Sequence, residues 1–518
     1  MSKNKMTVFI LAVIMIFSMG CAKAKINEPI ENIEKKSNSP VTFTTFIDHS
    51  WFWTDKFAGK IAEEITKKTG VTLNITKATD NNQLPVMIAS GDYSDIIYSS
   101  RLFDQLGNST VSYDWNTLIK KYAQGFLINP VEIANSTMPD GKFYTILNAY
   151  SPPADWQDER VLPSPGTPNM SIRADIMDKL GNPPINNTDD FIKVLGMVKS
   201  KFPDMTPHII DWSGNYDRYW SNTFGVELGS SGVYATKDSK IELYIRQPAY
   251  VDTLKFLNSL TRNGYMPVES LIYKQEQYGQ EVANGKAFSF VRATTDSQGA
   301  TADFVKAGLS EYKAVPIQKV LSNKATAIND GIGWSGTFIT KKCKNPERAI
   351  QFMDYMKSEE GQRLSTWGIE GVHYNIGSDR YPTRTQAGRD AMSSDGYKNI
   401  CIGVWTFGMS AKTEGLWNYD PSRPEITNAL LAWKKVQQFK PEYYFLKPSS
   451  DSDEKAIYTK VMALIEKERI KIIATKSDAE FDAAYSNFIK SAESLGLKKL
   501  ESSMTDKYNN EVKKKYVK

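Results

Sequence analysis

The residues in this chain that could do chemistry are suited to holding a ligand rather than transforming one. The three histidines, His49, His208 and His373, show no metal-ligand spacing and no H-E-x-x-H arrangement. Asp451 to Glu454 is acidic but lacks the central Gly and distal Glu of a calcium loop. No G-x-S-x-G, phosphate-binding or dinucleotide-binding fingerprint occurs, so neither metal nor cofactor is expected. Aromatic surface is abundant instead, with 26 Tyr, 23 Phe and 11 Trp. A tryptophan buries roughly 150–250 Å² at little entropic cost and keeps one polar edge. Candidate ligand-stacking residues are Trp51 and Trp53, and Trp334 in the glycine-rich stretch Gly331–Gly336, where the chain can approach a ligand closely. Trp212 and Trp220 flank one polar loop, and Trp405 and Trp417 flank another. Arg292 adds donors for a hydroxyl or a carboxylate. For every one of these tryptophans the plain alternative is packing.

The elements that must position these groups are legible in part. Val41 to Ile47 is a β-rich run, followed by a connector that carries Trp51 and Trp53. Lys56 to Thr69 places Ala58, Ile61, Ala62 and Ile65 on one helical face and ends at Gly70. Val71 to Lys77 alternates as a second strand, Leu84 to Ser90 reads as a short helix, and Asp95 to Tyr98 as a third strand. This β-α-β-α-β order implies a parallel sheet with helices on its faces. Ligands of such sheets bind outside the carboxyl ends of the strands, which places His49, Trp51 and Trp53 near any site. Further on, Thr188 is the expected N-cap of a helix running to about Lys201, and Tyr250 to Asn263 is another helix. Asn345-Pro346 is a strong helix start, and the chain beyond Pro424 is mostly helical.

The N-terminus has the layout of an export signal. Lys3 and Lys5 form a basic start, Met6 to Phe17 carries no charge, and the small residues Ser18 and Gly20 precede Cys21. The apolar run is too short to span a bilayer. Residues 1–20 are therefore read as a leader. Cys21 is placed as in a bacterial lipobox, where that cysteine is acylated and begins the mature chain, although Phe17 and Met19 fit the pattern loosely. Residues 21–40 are polar and aperiodic, as expected of a flexible tether. The net charge of +5 includes Lys3 and Lys5, and does not argue for nucleic acid. Lys513–Lys515 reads as a frayed end rather than a binding patch. Cys343 and Cys401 are too few for a disulfide framework, and whether they pair stays open.

Several segments together resemble a known family. Met87–Ile97 is similar to the ASGDxPDI block of extracellular solute-binding proteins of family 1, and Arg173–Gly181 to that group's R-D-W-L-D-K-L-G segment. Lys344–Ala349 with Ser358–Gly361 resembles its KNPERA and SEEGQ helix. Trp367–Tyr374 matches the WGIEGVHY signature of the large lipoproteins that import oligosaccharides in Gram-positive bacteria. These blocks fall in the family's order. The resemblance implies an α/β, two-lobe periplasmic-binding-protein-like fold of type II, each lobe a mixed sheet flanked by helices, with a hinge between them. It assigns residues 41–155 and 312–366 to lobe one, 160–310 and 367–500 to lobe two, and 501–518 to a tail. It also implies an ABC permease as partner, a monomeric binder anchored by lipid only, and no catalysis.

By the same resemblance, the Trp367–Tyr374 segment faces the cleft, making Glu370 and His373 the leading polar candidates beside Trp367. Sugars present flat C–H patches ringed by hydroxyls, so a site for them needs aromatic faces and in-plane polar groups. The tryptophan abundance thus favours a carbohydrate over a peptide or polyamine. Asp and Glu are numerous enough to supply the carboxylate pair of a glycoside hydrolase, but the signature blocks belong to binders. Asn182–Asp190 lies where some alginate-type binders carry a calcium loop, and its two prolines break that ligand pattern.

Overall fold

The computed structural model describes residues 39–516, apart from Trp53 and the segments 213–215, 392–398, 402, 404–406 and 450–451. The leader, Cys21, most of the tether and Trp405 also lie outside the described residues.

Val41–Ile47 and Val71–Lys77 pair in parallel, from Val41 opposite Val71 to Ile47 opposite Lys77. The chain returns between them through the helix Lys60–Thr69, which buries Ile61, Ala62 and Ile65. A parallel pair requires such a crossover, because the second strand must restart at the edge where the first began. Ile96–Ser99 pairs in parallel with the other side of Val41–Ile47, and Gly336–Ile339 completes the sheet antiparallel to it. The expected β-α-β-α-β unit is present, its third strand shifted one residue along.

A second four-stranded sheet has the order Thr206–Ile210, Ala287–Ala293, Pro168–Arg173, Ala314–Pro316. The first two strands are parallel, and Pro168–Arg173 runs antiparallel to both its neighbours. Thr188–Lys201 is helical as predicted, but Asn187 rather than Thr188 is its cap, accepting from the Asp190 amide. Asn345 and Pro346 do start the helix Pro346–Lys357, without a side-chain cap bond from Asn345.

The apolar side chains gather into two main cores, and these divide the chain differently from the division the resemblance implies. Residues 367–418 were expected in lobe two, yet Trp367, Tyr374, Phe407 and Trp417 pack with Phe43, Ile61 and Met353 on the first sheet. Residues 312–321 were expected in lobe one, yet Ala314–Pro316 is a strand of the second sheet, and Ile317 and Leu321 sit in the second core. The expected tail is helical from Leu497 to Lys507, and Met504, Tyr508 and Val512 are buried in the second core. Glu501 accepts from Arg246 Nε at 2.8 Å and from the Leu243 amide at 3.1 Å. Beyond it, Lys513 donates to Ser239 Oγ. An apolar face must be covered by whichever sheet is adjacent, and sequence order does not reveal which one that is.

Segments cross between the two cores side by side. The Asn148 amide donates to Ser335 O at 2.9 Å, the Ala149 amide to Met409 O at 2.7 Å, and the Ala411 amide to Tyr150 O at 3.3 Å. Ala327–Asn329 pairs in parallel with Gln437–Phe439. Cys343 and Cys401 are both free and buried. No described helix is long and apolar enough to cross a membrane.

Candidate ligand-binding site

At the carboxyl end of Val41–Ile47 the chain leaves the sheet through Asp48 and His49 and turns back at Trp51. The neighbouring strand brings Tyr98 and Ser99 to the same edge, and the segment entering Gly336–Ile339 brings Trp334. The His49 ring lies 4.9 Å from that of Trp51, nearly parallel at 26°, and 5.6 Å from Trp334. Trp51 and Trp334 are 6.1 Å apart, and Tyr98 meets Trp334 edge-on at 6.1 Å and 87°. The two indoles remain exposed, Trp51 at 55% and Trp334 at 38%, above a buried His49 and a fully buried Tyr98. Two large apolar rings held in water on an ordered aromatic floor form a stacking platform.

The floor is held by hydrogen bonds. Tyr98 Oη bonds to Ser335 Oγ and accepts from Asn148 Nδ2 at 3.3 Å. Burial raises the Tyr98 phenol well above its ordinary value, so it stays neutral. Burial likewise lowers His49 to about 4, outweighing the pull of Asp48. Its Nε2 is enclosed without a hydrogen-bond partner. Gly333 adopts φ 92°, and a Cβ there would collide with Asn148 O; only glycine carries the chain into Trp334 at this approach. Beside the platform, Arg101 grips Asp48 through Nε and Nη2 at 2.8 and 2.7 Å, and Ser99 Oγ donates to the same carboxylate.

The second sheet offers a polar counterpart at the carboxyl ends of its parallel pair. Asp211 follows Thr206–Ile210, and Arg292 lies at the end of Ala287–Ala293. Arg292 Nε sits 3.1 Å from Asp211 Oδ2 and 3.2 Å from Asp296 Oδ2. Burial raises the Asp296 carboxyl, with Arg292 opposing. From there the Thr294 amide reaches Thr167 O at 3.0 Å, and the Thr167 amide reaches Ser164 O at 2.9 Å. Ser164 Oγ donates to Glu414 Oε1 at 3.3 Å. Glu414 belongs to the helix Ala411–Asn418, which starts where the chain crosses between cores. Its half-buried carboxyl is pushed up to about 7 by burial, with only Ser164 opposing. Platform, crossing strands, Glu414 and the Arg292 cluster therefore follow one another around the junction of the two sheets.

The predicted site residues divide sharply. Trp51 and Trp334, distant in sequence, come together in the platform, and Arg292 lies at the second strand end. Trp212, next to Asp211, is half-buried with Arg469 over its ring at 5.0 Å. Trp220 is fully buried and donates to His208 Nε2 at 3.2 Å, so it is core. Trp367 and Trp417 are core as well, stacked at 6.5 Å, with Trp367 Nε1 donating to Thr413 O. His373 is a turn residue: its Nδ1 accepts the Ile369 amide at 2.9 Å, over Gly368, where a Cβ would lie 2.7 Å from that nitrogen. Burial lowers its pKa, consistent with the neutral acceptor. Glu370 is exposed but lines a different hollow, with Glu64, Lys68, Glu359, Glu360 and Arg363. The helix Lys60–Thr69 runs back along its sheet, so its Lys68 end lies at the edge opposite Asp48 and Ser99. The Trp367–Tyr374 segment thus builds the first core and its outer surface. Trp53 and Trp405 lie outside the described residues.

Asp48, Tyr98, Ser99, Arg101 and Asp211 were missed, although each sits at or just beyond a strand end, the signal that singled out Trp51. Glu414 carried no such signal. Among the described residues no group of three or more His, Cys, Asp or Glu could hold a metal ion. In the Asn182–Asp190 segment, Asn187 caps a helix and Asn186 accepts from Lys319 Nζ at 2.9 Å.

A model of the bacterial extracellular solute-binding protein family matches residues 60–369. The chain belongs to that family. This solute-binding protein is 26% identical over 350 residues to the polygalacturonan/rhamnogalacturonan-binding protein YtcQ of Bacillus subtilis, covering 63% of this chain and 65% of that one. It is 25% identical over 338 residues to the fructooligosaccharide ABC transporter substrate-binding protein FusA of Streptococcus pneumoniae, covering 60% of each. The chain therefore spans just under two thirds of either relative's length. Among solved structures it resembles the alginate-binding protein AlgQ2, with a TM-score of 0.64 and 21% identity over 91% of this chain and 99% of that one. It also resembles an HMO-binding, ABC-transporter-associated solute-binding protein of Bifidobacterium longum infantis, with a TM-score of 0.65 and 16% identity over 92% and 100%. These likenesses establish the fold, that of the two-lobe solute-binding proteins.

Proposed function

We propose that this solute-binding protein captures an oligosaccharide between its two lobes and delivers it to the transmembrane subunits of an ABC importer. The observation that carries this reading is the Trp51–Trp334 platform, two exposed indoles fixed over buried His49 and Tyr98. A pyranose or furanose ring stacks its C–H face on such indoles and turns its hydroxyls to polar groups around them. Glu414, Asp296 and Arg292 supply those groups from the other side of the junction. The ligands for which YtcQ and FusA are named, both saccharides, support the same class. The protein acts as a monomer, binds without cofactor or catalysis, and closes its lobes over the sugar. Export by residues 1–20 and acylation of Cys21, with residues 21–40 as tether, keep it at the outer face of the membrane. The chain's similarity to the lipoprotein LipO of Bacillus subtilis, 22% identical over 222 residues, is in keeping with that anchor. Calorimetry of the soluble form against fructo-, galacto-, manno- and galacturono-oligosaccharides tests the reading. Saturable binding of one class is expected, with compaction in solution scattering. Absence of binding across the panel would overturn it.

A further inference from the structure

A cavity of about 340 Å³ opens between the two halves of the chain. One wall carries Phe103, Asn135, Ser136 and Tyr144. Tyr144 is buried with Phe338 on the first sheet, and Phe103 packs against them. The other wall carries Tyr444, Phe445, Lys447 and Lys455. These lie on and just beyond the turn Pro441–Leu446 and in the first turn of the helix Asp453–Ile473, which pack on the second core through Tyr443, Leu446 and Val461. Trp51, Trp334, Arg292 and Glu414 do not line this cavity, so it is distinct from the platform.

Several polar groups of the cavity are left without a use in the fold. Ser136 is 7% exposed, and its Oγ is enclosed without a hydrogen-bond partner among the described residues, as are both ends of the Asn135 amide. Buried polar atoms are nearly always partnered, so these donors and acceptors are available to an occupant. Lys447 and Lys455 are half-buried. Burial lowers the Lys447 ammonium below the ordinary lysine range; Asp330 opposes this, and Lys455 and Arg218 add to it. Asp330 is itself engaged, accepting the Ser230 amide at 2.8 Å. Among the described lining residues the one carboxylate is Asp104, exposed at the rim. Two cations held together in a partly dehydrated hollow disfavour each other, and an anion beside them reverses both penalties.

We infer that this cavity is a second binding site, apart from the platform, for a single carboxylate-bearing sugar ring, a hexuronate. The two ammonium groups meet the carboxylate, the Asn135 amide and Ser136 hydroxyl meet ring hydroxyls, and the faces of Phe103, Tyr444 and Phe445 meet the C–H surface. The volume lies at the small end of the roughly 300–1,000 Å³ of small-molecule sites, which suits one ring rather than a chain. That ring is either a free acid sugar or the uronate end of a longer chain, since both bring the same groups. Because the walls belong to different cores, the occupant touches both lobes and favours the lobe arrangement that holds the walls at this spacing.

The test titrates D-galacturonate, its methyl ester and D-galactose calorimetrically into the wild-type chain and into Lys447→Gln, Lys455→Gln and Lys77→Gln. Lys77 is the control cation: it ends the strand Val71–Lys77 at the carboxyl edge that carries the platform, donating to Phe52 O at 2.9 Å. Galacturonate should bind about tenfold tighter than either neutral sugar, the effect of a charge-assisted contact. Each cavity variant should remove most of that preference, and Lys77→Gln should leave it within twofold. Thermal melts check that each variant folds, and the two cavity lysines provide independent variants. Tri-galacturonate separates the two sources: displacement of galacturonate assigns the cavity to the uronate end of a chain, and simultaneous binding assigns it to the free sugar, the site standing in both cases. Absence of galacturonate binding, or equal binding of all three sugars, overturns the inference. So does a preference that survives both cavity variants or disappears in Lys77→Gln. Capture of an oligosaccharide at the platform is judged by its own panel and is untouched by these outcomes.

Discussion

Replacing Trp51 by alanine separates a platform from a packing residue, because Trp51 is 55% exposed and its fold contacts are confined to one face. A Trp side chain carries about 200 Å² of surface, so roughly 110 Å² of this one faces water. A sugar ring stacked on it covers about half of that area, and at about 25 cal/mol per Å² the lost contact is worth about 1.4 kcal/mol. Trp51→Ala should therefore weaken binding about tenfold. The same change should lower stability by less than about 1 kcal/mol, since a largely exposed ring leaves little cavity behind. Trp367→Ala is the control: Trp367 is 2% exposed, and its truncation should cost about 3–5 kcal/mol of stability while the folded fraction binds normally. The assay is calorimetry with the tightest-binding oligosaccharide of the panel, paired with chemical denaturation of each variant. Wild-type affinity in Trp51→Ala, together with a fall in stability, would show the ring to be structural and refute the platform.

Glu370→Gln should leave affinity within twofold of wild type, because Glu370 lines the hollow beside Lys68 rather than the strand ends; a tenfold loss in the same calorimetry would restore the Trp367–Tyr374 segment to the site. His208 sets a pH limit: burial lowers it to about 3, while Nε2 accepts from Trp220. Its folded pKa lies below its unfolded one, so the stability it confers is complete above about pH 6.5 and is lost as pH falls toward 3, by a few kcal/mol in all. Thermal melts from pH 7 to 4 should therefore fall more steeply for wild type than for His208→Gln; parallel curves would refute that origin. Cys21→Ser should release the protein into the medium, and detergent-phase partitioning unchanged from wild type would exclude acylation there.

Much of the first lobe was legible because local rules sufficed. Alternation in Val71–Lys77, the apolar face of Lys60–Thr69 and its Gly70 stop, where φ is 71°, required no knowledge of the rest of the chain. The order of these elements implied a parallel sheet, and a parallel sheet implied a site at its carboxyl edge. That is why Trp51 was a candidate. Trp334 was a candidate for a different reason, its glycine neighbours, and nothing local could show that the two indoles lie 6.1 Å apart. Trp367, Trp417 and Trp220 show the opposite limit. A tryptophan has the same surface whether it stacks on a ligand or fills a core, and only the packing around it decides which. The lobe boundaries failed on the same ground, since residues 367–418 are covered by the first sheet through contacts that sequence distance conceals. The chain alone determined the class, the first sheet and the strand end at which Trp51 stands. Tertiary structure decided which aromatic rings remain in water there, and that Asp48 beside them is held by Arg101, because exposure and pairing depend on neighbours that the local sequence does not reveal.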